Sequence, residues 1–210
     1  LIILKKNSRI SYAPSFTGSS REVYLSGEGF FEVTKNPDRP FLIYANGLVT
    51  KVLGTSFSIK AYPGDPNVTV EVKTGRVAVF TQSDPRINAK AGSRELEGVL
   101  LTPNQRIVYV RDEVRLAKSL IDAPQLISEA PTKNRFTFEE TPVPAVFDAL
   151  EKAYEVDIVY DEQLLANCPL TATLTDQPLF EKLDIICQVI EARYEVMDGQ
   201  IVIYSRGCKP

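Results

Sequence analysis

Histidine is missing from all 210 residues. With it go the commonest general base and metal ligand, so serine–histidine and cysteine–histidine triads and most zinc sites are excluded. Tryptophan is absent too, which removes the usual aromatic platform for sugars, although nine tyrosines could stack on them. The three cysteines, Cys168, Cys187 and Cys208, lie too far apart for a CxxC metal pattern. No run reaches the roughly 18 apolar residues of a membrane helix. A net charge of −3 gives no reason to expect nucleic acid or an anionic membrane as partner. The chain opens LIILKKNSRI, without an initiator methionine or a signal-peptide pattern, and is expected to be part of something longer, any anchor lying upstream of Leu1.

What is present is ordinary globular composition, 44% hydrophobic and 24% charged. Residues 1–113 are written in strand grammar. REVYL (21–25), GFFEV (29–33), FLIYA (41–45), VTKVL (49–53), SFSIKAY (56–62), VTVEV (68–72), RVAVF (76–80) and RIVYV (106–110) are short β-rich runs between Gly, Pro, Asn and Asp. An all-β domain follows, with a solenoid-like stack, sandwich or barrel as its possible form. Nothing in this half has helical spacing, and the polar stretch 83–96 is expected as a mobile surface loop. Gly27 and Gly54 are read as structural turn positions, and Arg39 as a solvated turn charge.

Glu28 and Glu32 raise the question of chemistry. Four residues apart on one strand, they share a face at about 13 Å, whereas glycosidase carboxylates stand roughly 5–9.5 Å apart. They are read as strand edges, and no catalytic, metal or cofactor residue is assigned anywhere: the chain is not expected to be an enzyme.

Residues 114–134, with two prolines and mixed polarity, read as a linker. From 135 to 210 the period changes. FTF (136–138) is a strand, Thr141 is expected to cap a helix with Pro142 at its first position, and Val143, Phe147, Leu150 and Tyr154 form one apolar stripe. EVDIVY (155–160) returns to a strand. The scheme repeats: LTATL (170–174), a cap at Asp176, the stripe Leu179, Leu183, Ile186 and Ile190, then YEVMDGQIVIY (194–204) as a hairpin about Asp198-Gly199. Pro142 to Leu150 matches Pro178 to Ile186 at an offset of 36, and AYEV (153–156) matches RYEV (193–196) at 40. The tail is therefore expected to be a small α+β domain of duplicated β-α-β units.

REVYLSGEGFFEV, RPFLIYANGLVTKVLGTSFSIKAY, VKTGRVAVF and LLTPNQ resemble the periplasmic domain of the FecR family of anti-sigma factors. The C-terminal run from FTFEETPVPAVF to QIVIYSRGC is similar to the domain that follows it in Bacteroidetes members, a relative of the short secretin/TonB N-terminal module. Gly29 stands where the family has alanine, Pro103-Asn104-Gln105 where it has PGQ, and the tryptophan often found before the second domain is missing.

The resemblance implies the periplasmic part of a single-pass inner-membrane protein, with its all-β half, residues 1–113, coiled as a solenoid-like stack of short strands. Its partners would be the periplasmic signalling domain of a TonB-dependent outer-membrane transporter and, through an absent N-terminal segment, an extracytoplasmic-function sigma factor. Only an absent upstream helix would touch the membrane. On this reading an extended partner segment could add to a free sheet edge, and the candidate edges are FTF, with Phe136 and Phe138, and QIVIY, with Ile201, Ile203 and Tyr204. Strand order decides which is free. An oxidising periplasm also suggests a Cys168–Cys208 disulfide pinning the C-terminus, the alternative being two free thiols; Cys187 is expected as a buried small hydrophobe. Two rival functions remain, a carbohydrate-binding or carbohydrate-active β-protein with an accessory module, and a periplasmic assembly protein that oligomerises through the β-α-β module.

Overall fold

The computed structural model describes residues 1–127, 136–174 and 177–208. The chain divides into two compact units, Leu1–Lys118 and Ser119–Pro210.

In the first unit the alternating runs form β1 (Ile2–Leu4), β2 (Arg9–Tyr12), β3 (Arg21–Glu32), β4 (Phe41–Ala45), β5 (Leu48–Val52), β6 (Ser56–Ala61), β7 (Asn67–Thr74) and β8 (Val77–Thr81). A short helix α1 (Ile87–Gly92) follows, then β9 (Val99–Leu101), β10 (Gln105–Val110) and β11 (Arg115–Leu120). They make one sheet in the order β11-β10-β7-β6-β3-β4-β5-β8-β9, with β1 and β2 laid on β3. A single buried cluster draws Phe41 from β4, Val77 from β8, Leu101 from β9 and Ile107 from β10, so the sheet curls over one core. Phe31 and Phe57 face each other across β3 and β6, with ring centroids 5.3 Å apart. Such a buried aromatic pair is worth about 1 kcal/mol beyond its area.

The all-β reading of this half therefore holds, but the strands do not coil as a solenoid. A solenoid stacks parallel strands turn on turn, whereas here the neighbours β3–β6, β6–β7, β7–β10, β4–β5, β5–β8 and β8–β9 all run antiparallel. Short turns such as Asn46-Gly47, with φ of 43° and 88°, return the chain directly and favour that pairing.

Gly27 lies inside a strand rather than at a turn. The two runs read as REVYL and GFFEV are one strand, β3, which pairs with β4 over Arg21–Tyr24 and with β6 over Gly27–Glu32. The change of partner falls at Gly27, whose φ is 106° and whose Cβ would stand 2.6 Å from the Ser8 Cα. Gly54 does stand at a turn, between β5 and β6, where a Cβ would meet the Lys35 Cα at 2.5 Å.

Three other expectations change. Residues 115–120, read as linker, are β11: the chain turns back at Val114, φ 50°, and pairs beside β10, its mixed polarity being that of an edge strand. Residues 128–134 of that linker lie outside the described residues. The 83–96 loop contains α1 and is fastened down, as described below. Arg39 is half-buried, with its guanidinium donating to the Phe16 carbonyl and its own carbonyl accepting from Arg21 Nε at 2.9 Å.

The second unit contains β12 (Thr137–Pro142), α2 (Val143–Tyr154), β13 (Asp157–Val159), α3 (Glu162–Leu165), β14 (Pro169–Thr173), α4 (Leu179–Val189), β15 (Arg193–Met197) and β16 (Gln200–Tyr204). This is an α+β arrangement with two small sheets, β12-β14 and β13-β16-β15. Both apolar stripes are buried in one core with Ile158, Ile201 and Ile203. Helix α2 begins at Val143, one residue later than its expected start, and Thr141 does not cap it: that hydroxyl donates to the Glu139 carbonyl, while the Val143 N–H is satisfied by the Cys168 carbonyl at 2.9 Å. The cap expected at Asp176 lies outside the described residues. Asp198 and Gly199, with φ of 50° and 75°, close the β15–β16 hairpin. Among the described residues no helix is long and apolar enough to cross a membrane.

Gly27 and Gly64 make a contrasting pair, since a Cβ at Gly64 meets nothing within 4 Å. Gly27→Ala is expected to lower unfolding free energy by at least about 1 kcal/mol, and Gly64→Ala to change it by no more than about 0.5 kcal/mol, both read from urea denaturation.

Candidate functional site

The edge candidates are sorted by strand order. β16 is the middle strand of its sheet, parallel to β13 on one side and antiparallel to β15 on the other. Its backbone is therefore committed on both sides, and QIVIY offers no edge. Ile201 and Ile203 point into the core and are buried. Phe136 and Phe138 are also buried, Phe136 stacking on Tyr154 at 6.2 Å, so neither is an exposed anchor. Among the described residues β12 pairs only with β14, but the register shifts between Phe138 and Thr141, and Glu140 takes a φ of 45°. Such a bulge blunts an edge against a straight partner strand.

The opposite face of β13-β16-β15 has a different character. Because side chains alternate, burying Ile201 and Ile203 turns Val202 and Tyr204 outward. Register then sets three cross-strand rows: Val159, Val202 and Glu195; Asp157, Gln200 and Met197; Tyr204 opposite Arg193. Val159 is 45% exposed, Met197 47% and Tyr204 37%. The Arg193 guanidinium lies 4.4 Å from the Tyr204 ring centroid and also pairs with Glu195. Both charges of that pair are exposed, so it contributes little stability and leaves the face open to competition. β13 and β15 are the outer strands, and β15 is the longer, at five residues. Val159, Val202 and Met197 were not singled out in the sequence; alternation marks them as outward residues of their strands, but only strand order brings them onto one face, where Val159 and Met197 are exposed.

Beneath this sheet, Tyr194 donates to Asp184 at 3.0 Å and stacks on Phe180 at 6.3 Å. Burial, then that hydrogen bond, pushes the phenol up to about 12. Cys187 is a buried free thiol, and burial followed by the nearby Asp184 pushes it up to about 11. Cys168 and Cys208 are joined by a disulfide, with Cα atoms 5.6 Å apart across 40 residues of sequence. The bridge ties Cys208, after β16, to Cys168, which precedes β14.

Glu28 and Glu32 stay apart. In the β3–β6 register Glu28 is opposite Lys60 and Glu32 opposite Ser56, so each is a cross-strand surface partner.

Two family models match the chain: one described as "FecR protein" over residues 1–78, and one as "FecR, C-terminal" over residues 135–204. The chain belongs to the FecR family of anti-sigma factors. Two crystal structures of a protein described as an anti-sigma factor, from Parabacteroides distasonis, are similar to it at 25% and 26% identity. Each alignment covers 98% of this chain and 90% of the other, with a TM-score of 0.49. No curated protein matches it significantly. The C-terminal match ends at Tyr204, so it contains the whole β13-β16-β15 face of this FecR-family chain.

Peptide mapping without reductant is expected to recover a Cys168–Cys208 cross-linked peptide, and reduction to lower the unfolding free energy by about 2–4 kcal/mol; two free thiols in the unreduced protein would contradict this. A thiol with a pKa about 11 is almost wholly protonated near pH 8, so Cys187 is expected to resist iodoacetamide in the folded protein and to react once urea unfolds it.

Proposed function

We propose that this FecR-family chain receives a signal from a TonB-dependent outer-membrane transporter and relays it toward an extracytoplasmic-function sigma factor, by protein–protein binding on the periplasmic side of the inner membrane. The sigma factor would be held by a segment outside this chain. The observation that carries the docking role is the outer face of β13-β16-β15, with Val159, Met197 and Tyr204 exposed and Val202 half-buried among them, beside the outer strand β15.

The physics of such a face suits an extended partner segment. β15 supplies main-chain groups along one side for strand addition, and its neighbours supply apolar contacts for alternate partner side chains. Arg193 and Arg206 lie at the Tyr204 end of the face, in one open cleft with Ser205 and Glu191, while Asp157 lies in the row at the other end. A partner of opposite polarity would be held in one direction. The order β12-α2-β13 followed by β14-α4-β15 supports reading the unit as a duplicated β-α-β module, in which the added β16 separates the two second strands.

Isothermal titration of the transporter's periplasmic signalling domain into the chain tests this. Met197→Asp and Val159→Asp, both at exposed positions, are expected to weaken binding at least tenfold without lowering the thermal midpoint. Affinity unchanged by both substitutions would remove this face from the interface, and no binding by the unmodified chain would overturn the function.

A further inference from the structure

Residues 83–98 fold as a strap over the outer side of β4, β5 and β8. Its apolar contact with them is small: Ile87 and Ala91 pack on Leu42, Val49 and Phe80, a cluster separate from the main core. The backbone bonds of the strap are local, with Ile87 N–H on Asp84, Lys90 on Arg86 and Ser93 on Ala89. The Lys90 ammonium pairs with Asp84, within the strap, and lies 5.6 Å from the Phe80 ring centroid.

A lysine of the sheet reaches into this strap. Lys51 on β5 is 0% exposed, and its Nζ donates to the carbonyls of Lys90 and Ser93 at 2.6 Å and of Glu95 at 2.9 Å. An ammonium has three N–H groups, and here three main-chain oxygens of a single loop meet them. Two of these carbonyls stand at the C-terminal end of α1, where unpaired helix carbonyls favour a cation.

We propose that the carbonyls of Lys90, Ser93 and Glu95 form a primary-ammonium cage, that Lys51 fills it, and that this charge holds the strap shut as a unit opening separately from the sheet. A buried ammonium is tolerated only while its hydrogen bonds are made, so strap and lysine stabilise each other's closed position. The strap's own pair, Lys90 with Asp84, travels with it; Lys90 also lies over the Phe80 ring of β8, and Arg94 pairs with Asp38, but that pair is exposed and contributes little. Opening leaves the sheet hydrogen bonds intact and bares Leu42, Val49 and Phe80, all 2% exposed or less when the strap is closed.

Hydrogen exchange on the whole chain tests the cage. In the unmodified protein, amides of residues 86–97 are expected to exchange at least tenfold faster than those of β4, β5 and β8. Lys51→Ala is expected to speed the strap at least tenfold further, leave the sheet amides unchanged and raise the fluorescence of an apolar dye. The substitution deletes a propylammonium fragment, so added n-propylammonium is expected to restore strap protection, whereas n-propanol and potassium chloride are not. Strap and sheet exchanging together in the unmodified protein would overturn the proposal, and that measurement needs no variant to fold. Strap exchange unaffected by Lys51→Ala, or rescue by propanol as good as by propylammonium, would overturn it equally.

Discussion

Ile201 and Ile203 bury themselves against the helices from one side of β16, and the pleat of the strand then obliges Val202 and Tyr204 to face the other way. Hydrophobic burial on one face fixes register on both, because a slip of one residue would exchange the inner and outer sets. The two helical stripes, from Val143 to Tyr154 and from Leu179 to Ile190, supply the surface that makes this burial worthwhile. What is left on the outside is a by-product of that packing, yet it contains the apolar side chains on which the docking role rests.

The same constraint runs through the N-terminal unit with a different outcome. There the sheet curls over its own core, and β5 is covered on both faces, so its lysine must find partners inside. Lys51 finds them in the strap's carbonyls. Gly27 answers a geometric demand instead: one strand serves two sets of neighbours, and the change of partner leaves no room for a side chain beside Ser8. In both places an exception to the alternating pattern marks a special backbone or charge arrangement.

Local features were legible in the sequence where a period of 2 or 3.6 is enforced by burial. The two helical stripes and the Asp198-Gly199 hairpin follow directly from spacing, and most strands of the first unit do too. Strand order was not legible, because it depends on which edges meet after the chain has folded: QIVIY reads equally well as an edge or a centre, and only the parallel pairing with β13 commits it to the centre. The helix start after Thr141 misleads for a related reason. A hydroxyl before a proline is a fair local cap, but a distant carbonyl, that of Cys168, reached the Val143 amide instead. Lys51 gave no signal at all, since a lysine in VTKVL reads as an outward strand residue until the strap is seen above it.

The central claim is that the solvent face of β13-β16-β15, with its outer strand β15, receives the proposed transporter partner. Hydrogen-exchange footprinting of the whole chain with and without that partner tests it most directly. Slowed exchange across Arg193–Met197, with α2 amides unchanged, is the result expected. Protection confined to the N-terminal unit, with β15 exchanging as in the free chain, would contradict it.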